Sequence, residues 1–355
     1  MTAMMNWPTV LGKLMQKTDL DRAEASWAMQ QIMSGETPEI TMAAFMVALR
    51  TKGETVTELS GLVDVALENS LKLDTGSNAV DIVGTGGDMI GTVNISSMAS
   101  VVTASAGIPV LKHGSRSASG KTGSSEMLEA LGIRLDSSAA RLAEIFKEVG
   151  ITFFFAPVFH PSLRHLAPVR KALGVPTTFN FFGPLANPAQ PIATSLGVSN
   201  ASILGLIAEF LAARGRTALV FRGNDGLDEL TTTTSNQILQ VSGGEVTTFE
   251  LAPTHFGIKH STIEQLIGAD SEHNAQVARD LFAGSTSGNL GAVKDIVLLN
   301  AAGGVVSYEL AKDASRADVD LKLRFEDALQ RVTSALESGA TAEKLAQWVS
   351  ASQKQ

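Results

Sequence analysis

From residue 76 onwards the chain repeats one local plan: a short apolar run, a loop containing glycine or polar residues, then a helical pattern. Val80-Asp81-Ile82-Val83 runs into Gly84-Thr85-Gly86-Gly87-Asp88, and a helix is expected from about Ser96 to Ala106. Ile108 to Leu111 runs into Lys112-His113-Gly114, with helices expected over 124–131 and 138–149. Further strands are expected over 151–155, 194–198 and 217–221, and helices over 162–173, 201–213, 272–282, 289–302 and 318–337. Strands that alternate with helices predict a mostly parallel sheet flanked by helices. Such a sheet binds its ligands outside the carboxyl ends of its strands.

The first 72 residues read differently. Leu11, Leu14, Leu20, Ala23, Trp27, Met29 and Ile32 recur at roughly helical spacing, and Thr55 to Leu71 is a second helical candidate. Asp19 is read as an N-cap, with Gly35 and Gly53 as punctuation. No strand is expected here. The expected division is a small helical unit over 1–75 and an α/β unit over 76–355, with residues of about 165–190 packing onto the helical unit.

Several functional classes drop out on composition. The formal net charge of −8 argues against nucleic acid as partner. The absence of cysteine excludes disulfides, Cys-ligated zinc, iron–sulfur clusters and a thiolate nucleophile. No run of about 18 apolar residues suggests a membrane span, and no signal peptide is evident at the start. A cytoplasmic protein is the expectation.

Four segments can carry chemistry. Gly84–Asp88 follows a strand and precedes a helix, so its amides can cradle phosphate oxygens; Thr92, Asn94, Ser96 and Ser97 add side-chain donors. It is not a dinucleotide fingerprint, because Met89 stands where the third glycine belongs. Residues 112–123, which include Lys112, His113, Gly114, Ser115 and Ser119, offer a second anion cradle. Gly120-Lys121-Thr122 approaches a P-loop, but Ser115 replaces its first glycine and Gly123 interrupts the helix that must follow. Asp228-Glu229, in a loop after a strand, can hold magnesium together with phosphate oxygens. In isolation such a pair is most often solvated surface, so its meaning depends on the two loops. Finally, Arg170 can grip a carboxylate bidentately, near the segment Asn180 to Pro188.

Taken together, Asp81–Asp88, Lys112-His113-Gly114-Ser115-Arg116, Phe179–Pro188 and Gly226-Leu227-Asp228-Glu229 resemble the anthranilate phosphoribosyltransferase family, in order and spacing along nearly the whole chain. The resemblance implies a small helical domain plus a larger α/β domain, and a homodimer joined through the helical domains. It implies an enzyme of tryptophan synthesis that moves the phosphoribosyl group of phosphoribosyl diphosphate (PRPP) to the amine of anthranilate. By the same resemblance, Gly84, Thr85, Gly87, Asp88, Thr92, Asn94, Ser96, Ser97, Lys112 and Ser119 would bind PRPP. Ser96, Asp228 and Glu229 would hold Mg2+. Gly84, His113, Gly114, Ser115, His160, Arg170, Gly183 and Pro184 would line the anthranilate side, with Arg170 on its carboxylate. Ser115 departs from the family, which usually carries Asn there; serine keeps a hydroxyl but loses the amide fork and reach. That departure bears on acceptor specificity more than on the donor site. Two other readings stay open: a pyrimidine nucleoside phosphorylase of the same superfamily, which Asp228-Glu229 and Gly183–Pro188 disfavour, and a nucleic-acid-binding relative without chemistry.

Overall fold

The computed structural model describes residues 5–116 and 122–354. Four helices come first: α1 (Trp7–Met15), α2 (Arg22–Ser34), α3 (Glu39–Lys52) and α4 (Val56–Glu68). α2 starts at Asp21 rather than Asp19. Asp21 accepts from the Glu24 amide and Glu24 returns the bond, a capping box that Asp19 has no partner to form. Thr55 and Glu58 make the same box at the start of α4. α2 ends on Gly35, whose φ of 78° is a left-handed C-cap.

The rest alternates as the pattern predicts: β1 (Val80–Gly84), α5 (Ile95–Ser105), β2 (Val110–Gly114), α6 (Ser124–Ala130), α7 (Ala139–Val149) and β3 (Ile151–Phe155). Then come a short α8 (Ala156–Phe159), α9 (Leu166–Leu173), β4 (Ala193–Gly197), α10 (Ala201–Ala213) and β5 (Thr217–Gly223). The expected helix over 162–173 is a 3-10 turn, Pro161–His165, followed by α9. β6 (Asn236–Ser242) and β7 (Glu245–Leu251) precede α11 (Ser271–Phe282), α12 (Leu290–Lys312), α13 (Leu321–Glu337) and α14 (Ala340–Gln353).

The sheet order is β3-β2-β1-β4-β5-β6-β7, parallel through β5, with β6 and β7 antiparallel at one edge. The β6–β7 hairpin is an addition to the elements expected from the sequence. Its turn is Gly243-Gly244, both with positive φ, a pair that suits the tight turns matching strand twist. Nor do the threonines 231–234 form a strand; Thr231 Oγ1 donates instead to Asp225 (2.7 Å), shaping the β5–β6 loop.

Two apolar cores sandwich the sheet. One lies between the strands and α5, α11, α12, α13 and α14. The other joins α1–α4, α9 and the Phe179–Ala186 segment to α10 and the opposite sheet face. α12 has the length and apolarity of a membrane-crossing helix, but 72% of its most apolar stretch is buried inside the protein. It packs on β1 through Gly304, where a Cβ would come within 2.5 Å of Ile82.

Candidate active site

Successive strands depart from β1 in opposite directions: β2 and β3 on one side, β4 and β5 on the other. The carboxyl ends of β1 and β4 therefore open a crevice at the point where the order reverses, the usual ligand position in such sheets. β1 ends in Gly84 and β4 in Gly197, paired in register. The loop after β5 lies across both. A Cβ on Gly197 would sit 1.7 Å from the Asp228 carbonyl oxygen, and one on Gly84 would sit 2.2 Å from Asp228 Oδ2. Glycine at these two positions is thus what lets the Asp228-Glu229 segment reach the strand ends.

Hydrogen bonds complete this closure. The Gly86 amide donates to Asp228 Oδ2 (2.6 Å) and the Ser96 amide to Glu229 Oε1 (3.2 Å). The Leu230 amide donates to Asn300 Oδ1 and Asn300 Nδ2 donates to the Leu230 carbonyl, both at 2.9 Å. α12 therefore fixes the residue next to the acidic pair. Thr85 is tied to Ser199, whose amide donates to Thr85 Oγ1 (3.2 Å) and whose hydroxyl donates to the Gly86 carbonyl (2.7 Å). Gly86, Gly87 and also Met89 hold left-handed backbone, at φ of 70°, 83° and 61°.

The charges brought together here disfavour one another. Burial pushes the Asp228 carboxyl up to about 7, helped by the neighbouring Asp88. Burial, then Asp228, raise Glu229 well above the usual carboxylate range, and burial raises Asp88. The compensating cation is Lys112, which burial pushes down and Asp81 and Glu229 pull back up. Lys112 Nζ donates to the Ile82 carbonyl (2.5 Å) and Ser96 Oγ (3.3 Å). Ser97 is buried, and its hydroxyl meets no hydrogen-bond partner among the described residues. Asn94 bridges two segments: its amide donates to the Thr122 carbonyl (3.2 Å), and its oxygen accepts from Asn274 (2.9 Å). Thr92 pairs with Ile267 in an isolated bridge, holding the loop before α5. Ser119 lies outside the described residues.

His113 follows Lys112 on β2, so the pleat sends it to the other face of the sheet. There its Nδ1 meets the Gly183 carbonyl (3.2 Å), and its ring packs edge-on against His160 at 5.3 Å. Burial, then the proximity of His160, push His113 down to about 3, so the ring is neutral. Burial lowers His160 too; its Nε2 meets the Ala186 carbonyl at 2.8 Å. Pro184 lies in the 3-10 turn Gly183–Ala186 between these two contacts. Gly114 closes β2 where a Cβ would meet Ser124 at 2.5 Å, and the carbonyl of Ser115, an exposed residue, accepts from Ser124 Oγ (3.2 Å). Arg170 on α9 is half-buried, its guanidinium lowered by burial, with no ion-pair partner among the described residues.

The structure thus gathers Gly84–Asp88, Ser96, Lys112, Asp228 and Glu229 into one cluster at the strand ends, and His113, His160, Gly183 and Pro184 into a second, closely packed cluster on the opposite face of the sheet. Among the described residues, no hydrogen bond joins Arg170, Thr92 or Ser97 directly to either acid of the Asp228-Glu229 pair. Gly197, Ser199, Asn274 and Asn300 were missed by sequence reasoning. Gly197-Val198-Ser199 carried a signal, a strand ending in glycine and a hydroxyl like β1; an asparagine inside apolar α12 carried none. A hollow of about 420 Å3 lined by Arg22, Thr57, Arg214 and Arg216 lies near the opposite end of β5, away from these acids.

Comparison with known proteins gives the family and the fold. A glycosyl transferase family a/b domain profile matches residues 76–342, and the helical bundle domain of the glycosyl transferase family matches residues 8–70. The anthranilate phosphoribosyltransferase of Leifsonia xyli subsp. xyli is 49% identical over 351 residues, covering 99% of both chains. That of Saccharopolyspora erythraea is 46% identical, over 97% of this chain and 95% of its own. The crystal structure of anthranilate phosphoribosyltransferase from Thermus thermophilus superposes with a TM-score of 0.87 at 36% identity, over 97% of this chain and 99% of that one. The Saccharomyces cerevisiae enzyme, solved in complex with PRPP and Mg, shares the fold at a TM-score of 0.86 and 22% identity, over 98% and 97% of the two chains. On the full-length identity to these relatives, the chain belongs to the anthranilate phosphoribosyltransferase family.

Proposed function

We propose that this chain transfers the phosphoribosyl group of PRPP to the amine of anthranilate, releasing diphosphate, in tryptophan biosynthesis. The observation that carries the reading is the closure of the Asp228-Glu229 segment onto the glycine ends of β1 and β4, which brings buried Asp228 and half-buried Glu229 beside phosphate-suited loops. Carboxylates pushed toward protonation by burial and by each other fit a divalent cation. Among the described residues no three His, Asp or Glu side chains form a ready-made cage. Magnesium suits such a site, because it takes one or two carboxylates and completes its shell with phosphate oxygens and water. Asp228, Glu229 and Ser96 would hold it, and when bound it would neutralise charge on the leaving diphosphate.

The remaining work falls to the chain's own groups. Gly84, Thr85, Gly87 and Asp88 line the donor loop, with Thr92, Asn94, Ser97 and Ser119 as further donor contacts. Lys112 supplies fixed positive charge where phosphate charge grows on departure. Arg170 orients anthranilate through its carboxylate, while His113, His160, Gly114, Ser115, Gly183 and Pro184 line its side. The sugar carbon is strongly electrophilic as diphosphate leaves, so holding the amine in line matters more than activating it.

The chain divides near residue 75 into a helical and an α/β unit, on this reading. It acts in the cytoplasm as a homodimer; exposed Met15, Ile40 and Val47 on α1 and α3 suit such a contact. The test follows anthranilate fluorescence with purified protein and PRPP. Loss of signal with Mg2+, abolished by EDTA and restored by added Mg2+, is expected; no consumption under any of these conditions overturns the reading.

A further inference from the structure

Two residues outside every role assigned above form a buried link between the sheet and the acceptor side. Asp81, in β1, is 1% exposed, and Asn187, just after the Gly183–Ala186 turn, is 6% exposed. Asn187 Nδ2 donates both its hydrogens, to Asp81 Oδ2 (2.7 Å) on β1 and to the Leu111 carbonyl (2.9 Å) on β2. Its Oδ1 accepts from the Ala189 amide (3.0 Å). Asp81 Oδ1 in turn accepts from the backbone amide of His113 (3.3 Å). Every polar atom of both side chains is engaged. The turn so anchored presents the carbonyls of Gly183 and Ala186 to His113 and His160.

This arrangement is costly to keep. Burial pushes the Asp81 carboxyl up to about 6, and its nearest cation, Lys112, donates its hydrogen bonds to Ile82 and Ser96 instead. An apolar pair would fill the same space without desolvating a carboxylate. What an apolar pair cannot do is fix direction: a carboxylate and an amide with all partners met hold one geometry, and hydrogen bonds to a charged group are the stronger kind.

We infer that Asp81 and Asn187 are positioning residues, which together set the distance between the end of β2 at His113 and the Gly183–Ala186 turn, and so the width of the acceptor side. The inference rests on the proposed reaction for its kinetic readout but not for its structural one. Asn187→Ala removes none of the hydrogen bonds made by the Lys112 side chain or the donor loops. It should raise the anthranilate KM about tenfold or more while the PRPP KM stays within about twofold, the size expected when a charge-assisted bond is lost and its partner left buried. Asn187→Asp, the same size, can share at most one proton with Asp81 and offers no second donor to Leu111, so it should do at least as much. A crystal structure of Asn187→Ala should show the 183–186 turn displaced from His113 and His160.

If Asn187→Ala gives no soluble protein, Asn187→Thr, which keeps most of the volume but has one donor hydrogen where Asn187 uses two, carries the same expectation on both KM values. An unmoved turn, an anthranilate KM within about twofold of the parent, or parallel rises in both KM values each overturns the inference. Should the parent itself turn nothing over, the reaction assigned above fails, and the displaced turn alone decides the positioning role.

Discussion

The two halves of the proposed site are built on opposite principles. On the donor side, half-buried Asp88 and Glu229 crowd against buried Asp228 and Lys112, held by amides of Gly86 and Ser96. On the acceptor side, His113 and His160 are neutral, face backbone carbonyls and pack against each other, and Arg170 is the only cation assigned there. Consecutive residues of β2 serve both: Lys112 reaches α5 and His113 reaches the Gly183 turn, because the pleat sends neighbours to opposite faces. The contrast teaches that one half is organised by charge awaiting a counter-charge, and the other by shape and fixed hydrogen bonds.

That contrast can be broken experimentally. The largest effect is expected on the charged half. Asp228→Asn combined with Glu229→Gln should lower turnover by about 10^3-fold, comparable to losing preorganised electrostatic stabilisation. The circular dichroism spectrum should stay that of the parent, since two mutually repelling carboxylates are removed. Activity within about tenfold of the parent would show that these acids are not part of the chemistry.

Next is Gly197→Ala. Its Cβ would have to push the Asp228 main chain aside, where no side-chain rotation can help. Overpacking of this kind costs about 1–3 kcal/mol, so the melting temperature should fall and turnover should fall by more than the stability loss explains. A melting shift with unchanged kinetics would detach the acidic loop's position from catalysis.

Arg170→Ala sharpens the boundary between the halves. The anthranilate KM should rise about 10- to 100-fold, as for a lost hydrogen bond to a charged group, with PRPP affinity barely changed. An equal loss of PRPP binding would mean that Arg170 does not belong to the acceptor side alone. The smallest effect is expected from Ser115→Asn, an exposed position just after β2. It should improve anthranilate kcat/KM a few-fold, the worth of one neutral hydrogen bond. No change for anthranilate or for substituted benzoates would make serine a neutral replacement.

Much of this is legible along the chain alone. The β1 strand with its Gly84–Asp88 loop, the β3 strand over Ile151–Phe155 and the α10 helix over Ala201–Ala213 all follow from apolar periodicity bounded by glycine and polar residues. β7 escapes because Glu245 to Leu251 is mostly exposed, so no apolar alternation marks it; β6 is buried, but its apolar run of Ile238, Leu239 and Val241 is too short and too interrupted by Gln240 to stand out alone. Asp19 passes for a cap although the spacing favours Asp21: Glu24 stands three residues after Asp21 and completes the box, whereas Arg22 stands three after Asp19. The acidic pair is visible as a motif, but nothing along the chain says that Asn300, 70 residues on, clasps its neighbour Leu230.

The alternation of elements, the glycine loops at strand ends and the family's motifs are encoded within a few residues, by periodicity, backbone freedom and side-chain type. Which loop lies on which strand end is settled by packing across the folded molecule. The bond from Gly86 to Asp228 spans 142 positions and the buried tie from Asp81 to Asn187 spans 106. The raised carboxyl of Asp228 depends in the same way on distant Asp88 and on burial. Such contacts are fixed by packing and by the low polarity it creates, and neither exists until the chain has folded.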